Sequence, residues 1–357
     1  MRPPGASNLV LLEHINLNLE PRALPLARAF YIDALRCGED PRPRDMLRRE
    51  STLLWANLGL QQFHLPVHPI GEGGASEHGT QRIDGTISLR LAASPAADLA
   101  PSALDGVETR VRALGVPAVR ESSTRLTLPP CAATLGNAYT IDAAPAIAGR
   151  YVGGPDASCR PHPVMREAST HTNSGGMSGT DAEGRVDAIL GISLRVPATA
   201  LPHIASFFRD TLGARVSGAE SAEGQVIVHF DGDCADAEAG VQVHADDARD
   251  SQRLVFNAVA IDDPSAPPLL PYDGWHIALY LHDFEGAWAR VAAAGLLFDN
   301  PRFSDRVGTL EQARLYAQFR TLMLGARSGV ALELEIRSRA HPSCPLPGAL
   351  GDAGVTA

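Results

Sequence analysis

The sequence predicts an α+β protein of four βαβββ modules that form two cup-shaped, open, barrel-like sheets. One observation is a short alternating strand pattern that occurs four times in the 357 residues. The other is that each copy precedes an amphipathic helix candidate and then strand-like runs that close in a hairpin. Repetition of a unit of about 70 to 85 residues indicates repeated supersecondary units, which bury their apolar faces against one another.

The first strand of each module alternates apolar residues with polar or small ones, as a strand with one buried face does. These strands are 14–19, 86–91, 191–196 and 276–281. A helix is predicted after each strand, over 24–35, about 99–114, 201–212 and 284–294. In the third helix Ile204, Phe207, Phe208 and Leu212 recur at helical spacing, which gives one apolar face.

Strand-like runs after each helix turn back on themselves. The predicted pairs are 53–58 with 61–65, 125–135 with 139–141, 241–244 with 253–257, and 319–324 with 331–336. Gly59, Gly136, Asn137 and Gly329 lie at three of these turns, where a tight hairpin needs positive φ. We therefore expect an N-terminal half of two modules (9–152) and a C-terminal half of two modules (188–341). A flexible linker rich in Ser and Gly (153–187) joins them, and a disordered tail (342–357) follows.

Composition narrows the class of function. The formal net charge of −10 argues against nucleic acid and against anionic membrane surfaces as partners. No apolar run approaches the roughly 20 residues of a membrane span. The five cysteines are isolated, without a C-x-x-C pair, which favours a reducing, cytoplasmic setting. All 31 basic residues are arginine, so lysine chemistry is excluded. We expect a monomer or homodimer with a small-molecule partner.

Several motifs resemble one superfamily. They include Glu13-His14-Ile15, Phe63-His64, Trp275-His276-Ile277 and the run 332–338. Together with paired βαβββ units over nearly all of residues 9–341, they resemble the vicinal-oxygen-chelate superfamily. That superfamily includes glyoxalase I, extradiol ring-cleaving dioxygenases and drug-resistance proteins, and the motifs look like those of a four-module, glyoxalase-like group.

The resemblance implies metal ligands on the first and last strands of two facing modules. The first module then supplies His14 and His64, and the fourth supplies His276 and either Glu335 or Glu333. The two glutamates share a strand face because they are two residues apart. The spacing seen in glyoxalase I favours Glu333, whereas alignment with the Phe63-His64 strand favours Glu335. The matching positions of the second and third modules carry no such ligands: they are Thr86, Thr140, Gly191 and Asn257.

Imidazole and carboxylate donors suit Zn, Fe(II), Ni, Co or Mn at about 2.0 to 2.2 Å. Glu333 and Glu335 are the candidate catalytic groups, one as ligand and the other as proton-transfer base. Arg337 is a candidate to bind a substrate carboxylate, and Tyr280 is a candidate substrate contact. The structural alternatives are an arginine partner for the glutamates, from Arg320 or Arg337, and core packing for Tyr280.

Two module pairings lead to different sites. Consecutive pairing separates His14 and His64 from His276 and the glutamate, whereas pairing of the first module with the fourth brings all four together, which we prefer. The first hypothesis is a metal-dependent enzyme acting on vicinal oxygens, a lyase or isomerase before a ring-cleaving dioxygenase. The alternatives are a non-catalytic binding protein of resistance type and a structural remnant with filled cups.

Overall fold

The structure is a computed structural model, and it describes residues 6–39, 53–67, 79–91, 100–143, 184–218, 224–230, 252–259, 268–301, 307–324 and 330–346. Within these ranges the chain forms two mixed, open β-sheets with few helices. The predicted α+β class and four-module layout are confirmed. The predicted strand 241–244 and most of the predicted linker, 153–183, lie outside the described residues.

A seven-stranded sheet contains the first and fourth modules. Its order is β14-β15-β13-β1-β4-β3-β2, so the first strands of the two modules, β1 and β13, are antiparallel neighbours. The preferred one-plus-four pairing agrees with this order. The strands are β1 (Leu9–Asn16), β2 (Gly38–Glu39), β3 (Leu53–Leu58), β4 (Gln61–Pro66), β13 (His276–Leu281), β14 (Gln318–Leu324) and β15 (Ala331–Ser338).

An eight-stranded sheet contains the second and third modules in the order β10-β11-β12-β9-β5-β8-β7-β6. Its centre repeats the arrangement of the first sheet, because β5 and β9 are antiparallel neighbours. The strands are β5 (Gly85–Leu91), β6 (Val119–Ser122), β7 (Arg125–Leu128), β8 (Ala138–Asp142), β9 (Val186–Pro197), β10 (Arg215–Ser217), β11 (Gln225–His229) and β12 (Arg253–Val259).

Each module has its helix where the periodicity predicts one. In the first and third modules a short α-helix continues as a π-helical segment, 29–34 and 207–211, and these segments bury aromatic pairs. The pairs are Phe30 with Tyr31 and Phe207 with Phe208. The α-helices are α1 (Leu24–Arg28), α2 (Ala100–Ala113), α3 (Leu201–Ser206), α4 (Phe284–Ala293) and α5 (Leu310–Tyr316).

The central strand of each sheet shifts register against its antiparallel partner at two places, and one of the two lies near the middle of the strand. In β1, Leu12 pairs with Leu279 and His14 with Ala278, so Glu13 is the extra residue. In β9, Gly191 pairs with Ser88 of β5 and Ile189 pairs with Leu89, so residue 190 is the extra residue. A bulge bends the strand and changes the direction of its side chains. The bulges therefore occupy equivalent places in the two sheets.

The described end of the chain returns to the seven-stranded sheet. Residues 339–346 form turns, and Leu346 is buried in a small apolar cluster with Val10, Leu11 and Tyr280. Part of the predicted tail, 342–346, is thus packed, whereas 347–357 lie outside the described residues. Of the helices that the structure describes, none has the length and apolar character needed to cross a membrane.

Candidate metal centre

Three predicted ligands meet on neighbouring strands of the seven-stranded sheet. His14 on β1 is paired with Ala278 on β13, and Ala278 is paired with Glu335 on β15. His276 lies two residues before Ala278 on the same face of β13. One ligand atom from each of His14, His276 and Glu335 lies within 4.8 Å of the other two, and His276 Nε2 is 3.7 Å from Glu335 Oε2. All three side chains are almost fully buried.

His64 is placed differently from the other predicted ligands. Its ring stacks on His14, with centroids 3.8 Å apart and planes 22° apart, and on Trp55 at 4.4 Å and 12°. Its Nε2 is 2.8 Å from Gln62 Oε1. Imidazole nitrogens bind ions along directions in the ring plane, so two stacked rings do not aim at one ion. His64 falls into a second group of potential donors, with Glu13 and His14, and not with His276 and Glu335.

The two candidate glutamates of β15 both bind arginine. Glu335 accepts from Arg337 Nε at 2.6 Å and from Arg320. Glu333 accepts from Arg320 at 2.9 Å and from the side-chain amide of Asn300 at 3.0 Å. The arginine partners considered as the structural alternative are therefore present. Each carboxylate oxygen has two lone pairs, so these bonds still leave Glu335 capacity to ligate.

Glu13 belongs to the site, although the sequence analysis assigned it no role. Its Oε2 is 2.6 Å from His14 Nδ1 and 2.8 Å from Arg337 Nη1. Consecutive residues of a regular strand point to opposite faces, and that rule hides the contact in the sequence. The β1 bulge at Glu13 lets both side chains reach the same polar cluster. The signal in the sequence is only that a glutamate precedes the histidine.

Burial and the arginines set the charge states of the site. Burial lowers the pKa of His14 well below its ordinary value, and the Arg337 guanidinium lowers it further. Burial, followed by the Arg320 guanidinium, does the same to the pKa of His276. Burial alone would raise the pKa of Glu335, but Arg320 and Arg337 together outweigh it and hold that pKa well below the usual range. Two neutral imidazoles and an ionised carboxylate are the forms that bind metal.

The residues fit a divalent cation by two criteria. His14 Nε2 is buried and has no hydrogen-bond partner within the described part of the chain, although a buried polar atom normally has one. Three carboxylates and two guanidiniums give the cluster a formal charge of −1 when both imidazoles are neutral; its charged members are Glu13, Glu333, Glu335, Arg320 and Arg337. Bond lengths of about 2.0–2.2 Å require donors within about 4.4 Å of one another, and His276 Nε2 and Glu335 Oε2, at 3.7 Å, meet this requirement.

Arg337 and Tyr280 lie deeper than a substrate-binding role suggests. The Arg337 guanidinium bridges Glu13 and Glu335, and its residue is 8% exposed. Tyr280 is fully buried beside Leu346, and burial raises the pKa of its hydroxyl. Their substrate-binding roles stay predictions. In this structure Arg337 holds two carboxylates of the cluster together.

The corresponding positions of the eight-stranded sheet carry hydrogen-bonded polar side chains, and Arg90 and Arg195 on the same strands are paired with Asp187 and Asp84. The side-chain amide of Asn257 donates to Ser193 at 2.6 Å, and that of Gln225 donates to Asn257 at 2.8 Å. Thr140 donates to Ser88 at 3.0 Å. Among the described residues, no group of metal donors lies on this sheet.

No family model matches the chain, and no curated protein matches it. Solved structures do match. One is a provisionally assigned dioxygenase from Bacillus subtilis, with a TM-score of 0.49, 13% identity, and 93% of this chain and 86% of that chain covered. A glyoxalase I mutant from Zea mays matches with a TM-score of 0.45, 10% identity, and coverage of 93% and 94%. A 2,3-dioxygenase from Pseudomonas sp. KL28 has a TM-score of 0.29, 12% identity, and 93% coverage of each chain. These neighbours bear the names of classes that the sequence motifs resemble, but TM-scores below 0.5 leave the functional argument to the residues of the site.

Proposed function

We propose that this protein is a divalent-metal-dependent enzyme that acts on a small molecule with vicinal oxygens, as a lyase or isomerase. The observation that carries the proposal is the Nε2 of His14, which is buried without a hydrogen-bond partner among the described residues, in a histidine grouped with His276 and Glu335. A histidine nitrogen buried without a partner is costly unless a ligand meets it. The isolated cysteines favour a reducing compartment as its place of action.

In this proposal His14, His276 and Glu335 hold the ion, whose identity is one of Zn, Fe(II), Ni, Co or Mn. When bound, the ion supplies a Lewis acid that polarises substrate oxygens. Three protein donors leave coordination positions for two neighbouring oxygens of a substrate. Arg320 and Arg337 keep Glu335 ionised and restrict its movement.

Glu333 is the proposed proton acceptor. In the pairing of β13 with β15, Glu333 lies opposite His276. It precedes the proposed ligand Glu335 by two residues, so both side chains are on one face of β15. Arg320 and Asn300 fix its carboxylate, which places an acid–base group at one defined position beside the ion. Proton transfer at a carbon next to a polarised oxygen is the step that such a pair supports.

A ring-cleaving dioxygenase is the second candidate. The observation in its favour is the donor set itself, because two histidines and one carboxylate form the ligand set of many Fe(II) oxygenases. A non-catalytic binding protein is the remaining alternative, favoured by the ion pairs that already surround Glu335. Metal content separates the enzyme candidates from it, and a preference for a metal other than Fe(II) favours the lyase or isomerase over the dioxygenase.

The test is elemental analysis of the full chain after separate equilibration with each of the five metals and removal of excess. We expect about one ion per chain in the wild type and almost none in His276→Ala, because two donors bind far more weakly than three. His203→Ala is the matched control, since His203 is exposed on α3. Equal metal content in His276→Ala and the control, or no metal in the wild type, would refute the proposal.

A further inference from the structure

We propose that Glu13 is a positioning residue that fixes the tautomer and direction of His14, so that Nε2 faces His276 and Glu335. The inference rests on the proposed metal site and extends it to a residue beyond the ligands. Carboxylates that bind the second nitrogen of a ligating histidine orient the ring and raise its basicity. Here such a carboxylate comes from the adjacent residue of the same strand.

The hydrogen bonds of Glu13 determine which nitrogen of His14 is protonated. Glu13 Oε2 accepts from Arg337 Nη1 at 2.8 Å and lies 2.6 Å from His14 Nδ1. A carboxylate oxygen that accepts from a guanidinium also accepts from the imidazole, so Nδ1 carries the hydrogen. Nε2 of the neutral ring then keeps its lone pair for an ion. The Arg337 contact also anchors the Glu13 carboxylate, which restricts rotation of the His14 ring.

The bulge that places Glu13 beside His14 is held by two buried glutamines. Leu12 N donates to Gln252 Oε1 at 2.9 Å. Leu12 O accepts from Gln61 Nε2 at 2.7 Å and from Gln252 Nε2 at 3.0 Å. The same two amides donate to the carbonyl of Ile189 beside the bulge of β9. Both backbone groups of Leu12, the residue before the bulge, are therefore hydrogen-bonded to glutamine side chains, and relaxation to a regular strand would break these bonds.

The test uses the full chain with 15N-labelled histidine. Nitrogen chemical shifts of metal-free protein report the tautomer of His14, which is assigned through its loss in His14→Gln. A competing chelator then gives the dissociation constant for Zn²⁺. We expect the Nδ1–H tautomer in the wild type. Glu13→Met, which removes the acceptor at similar volume, loses that preference and binds Zn²⁺ about 10- to 100-fold more weakly.

Glu13→Gln is the conservative variant, because its carbonyl oxygen still accepts from the imidazole, and it restores the tautomer and most of the affinity. Glu285→Met is the matched control on the surface, where Glu285 pairs with Arg314, and it changes neither readout. A wild type with the Nε2–H tautomer, or a Glu13→Met variant with unchanged tautomer and affinity, overturns the inference. If the wild type binds no Zn²⁺ but shows the Nδ1–H tautomer, the positioning contact holds and the metal site fails.

Discussion

At the scale of residues, the site is a series of buried ion pairs in which carboxylates and guanidiniums alternate, with His14 at one end. His14 contacts Glu13, which contacts Arg337, then Glu335, Arg320 and finally Glu333. Taking charges out of water costs several kcal/mol per ion, and only complete pairing recovers that cost. The cluster is therefore sensitive to the loss of any one member. Its formal excess of one negative charge favours a cation among its neighbours.

Removal of Arg320 tests this sensitivity. Arg320→Met leaves Glu333 and Glu335 without a shared partner in a buried environment. We expect the free energy of unfolding to fall by about 3–5 kcal/mol, measured by urea denaturation of metal-free protein. Arg314→Met is the control, because it removes an exposed pair with Glu285 and leaves stability almost unchanged. An equal loss in the free energy of unfolding in the two variants would contradict the idea that burial makes the Arg320 ion pairs important for stability.

At the scale of elements, the bulged central strands position the site. β1 is buried along its whole length, since β13 and β4 flank it and the eight-stranded sheet contacts its bulge through Gln252. Two glutamine side chains replace the ladder hydrogen bonds that the bulges remove. Breaking a hydrogen bond so that a buried group stays unsatisfied costs about 1–3 kcal/mol. These amides therefore contribute to the stability of the fold as well as to its geometry.

Gln252→Met tests the contribution of these amides. The substitution keeps the volume of the side chain but leaves Leu12 N without its acceptor. We expect the free energy of unfolding to fall by about 2 kcal/mol, with a smaller loss in Gln225→Met, whose side chain donates to the half-buried Asn257. Chemical denaturation of both variants gives the comparison. A loss in Gln225→Met as large as that in Gln252→Met would show that the position at the bulge has no special role.

At the scale of the whole molecule, each sheet is built from one N-terminal module and one C-terminal module. The N-terminal part of the chain supplies β1–β4 to the seven-stranded sheet and β5–β8 to the eight-stranded sheet, and the C-terminal part supplies β13–β15 and β9–β12. Within one half alone, β1 has no β13 beside it and β5 has no β9. The open edges and buried polar groups of such a fragment would face water. We therefore expect the halves to fold only together.

Separate expression of the fragments 1–152 and 153–357 tests this expectation. Neither fragment alone should show a cooperative denaturant transition, because each lacks the central partner of both of its sheets. A mixture of the two should form a one-to-one complex with the transition of the intact chain. Circular dichroism and size-exclusion chromatography measure both properties. A cooperative transition in either isolated fragment would mean that consecutive modules are sufficient for folding.

Local sequence determined the elements and most of the candidate ligands. Alternation with period two fixed the strands that contain His14, His276 and Glu335, and helical spacing fixed the helices between them, because these patterns depend on residues close in the chain. The four-module architecture followed from their repetition. Which modules pair with each other could be decided only from the structure, since the alternating pattern of each first strand is compatible with several partner strands.

Tertiary structure alone decided the composition of the site. His64 was predicted as a ligand from its strand position, and in the fold its ring stacks between Trp55 and His14 and is grouped with Glu13 and His14, not with His276 and Glu335. Strand alternation predicts that Glu13 lies on the face opposite His14. The bulge of β1 instead brings the two side chains into contact. That bulge is held by Gln252, which lies 240 residues from Leu12 in the chain. Local patterns determine which residues form a strand, whereas hydrogen bonds between distant residues determine where each side chain of that strand points.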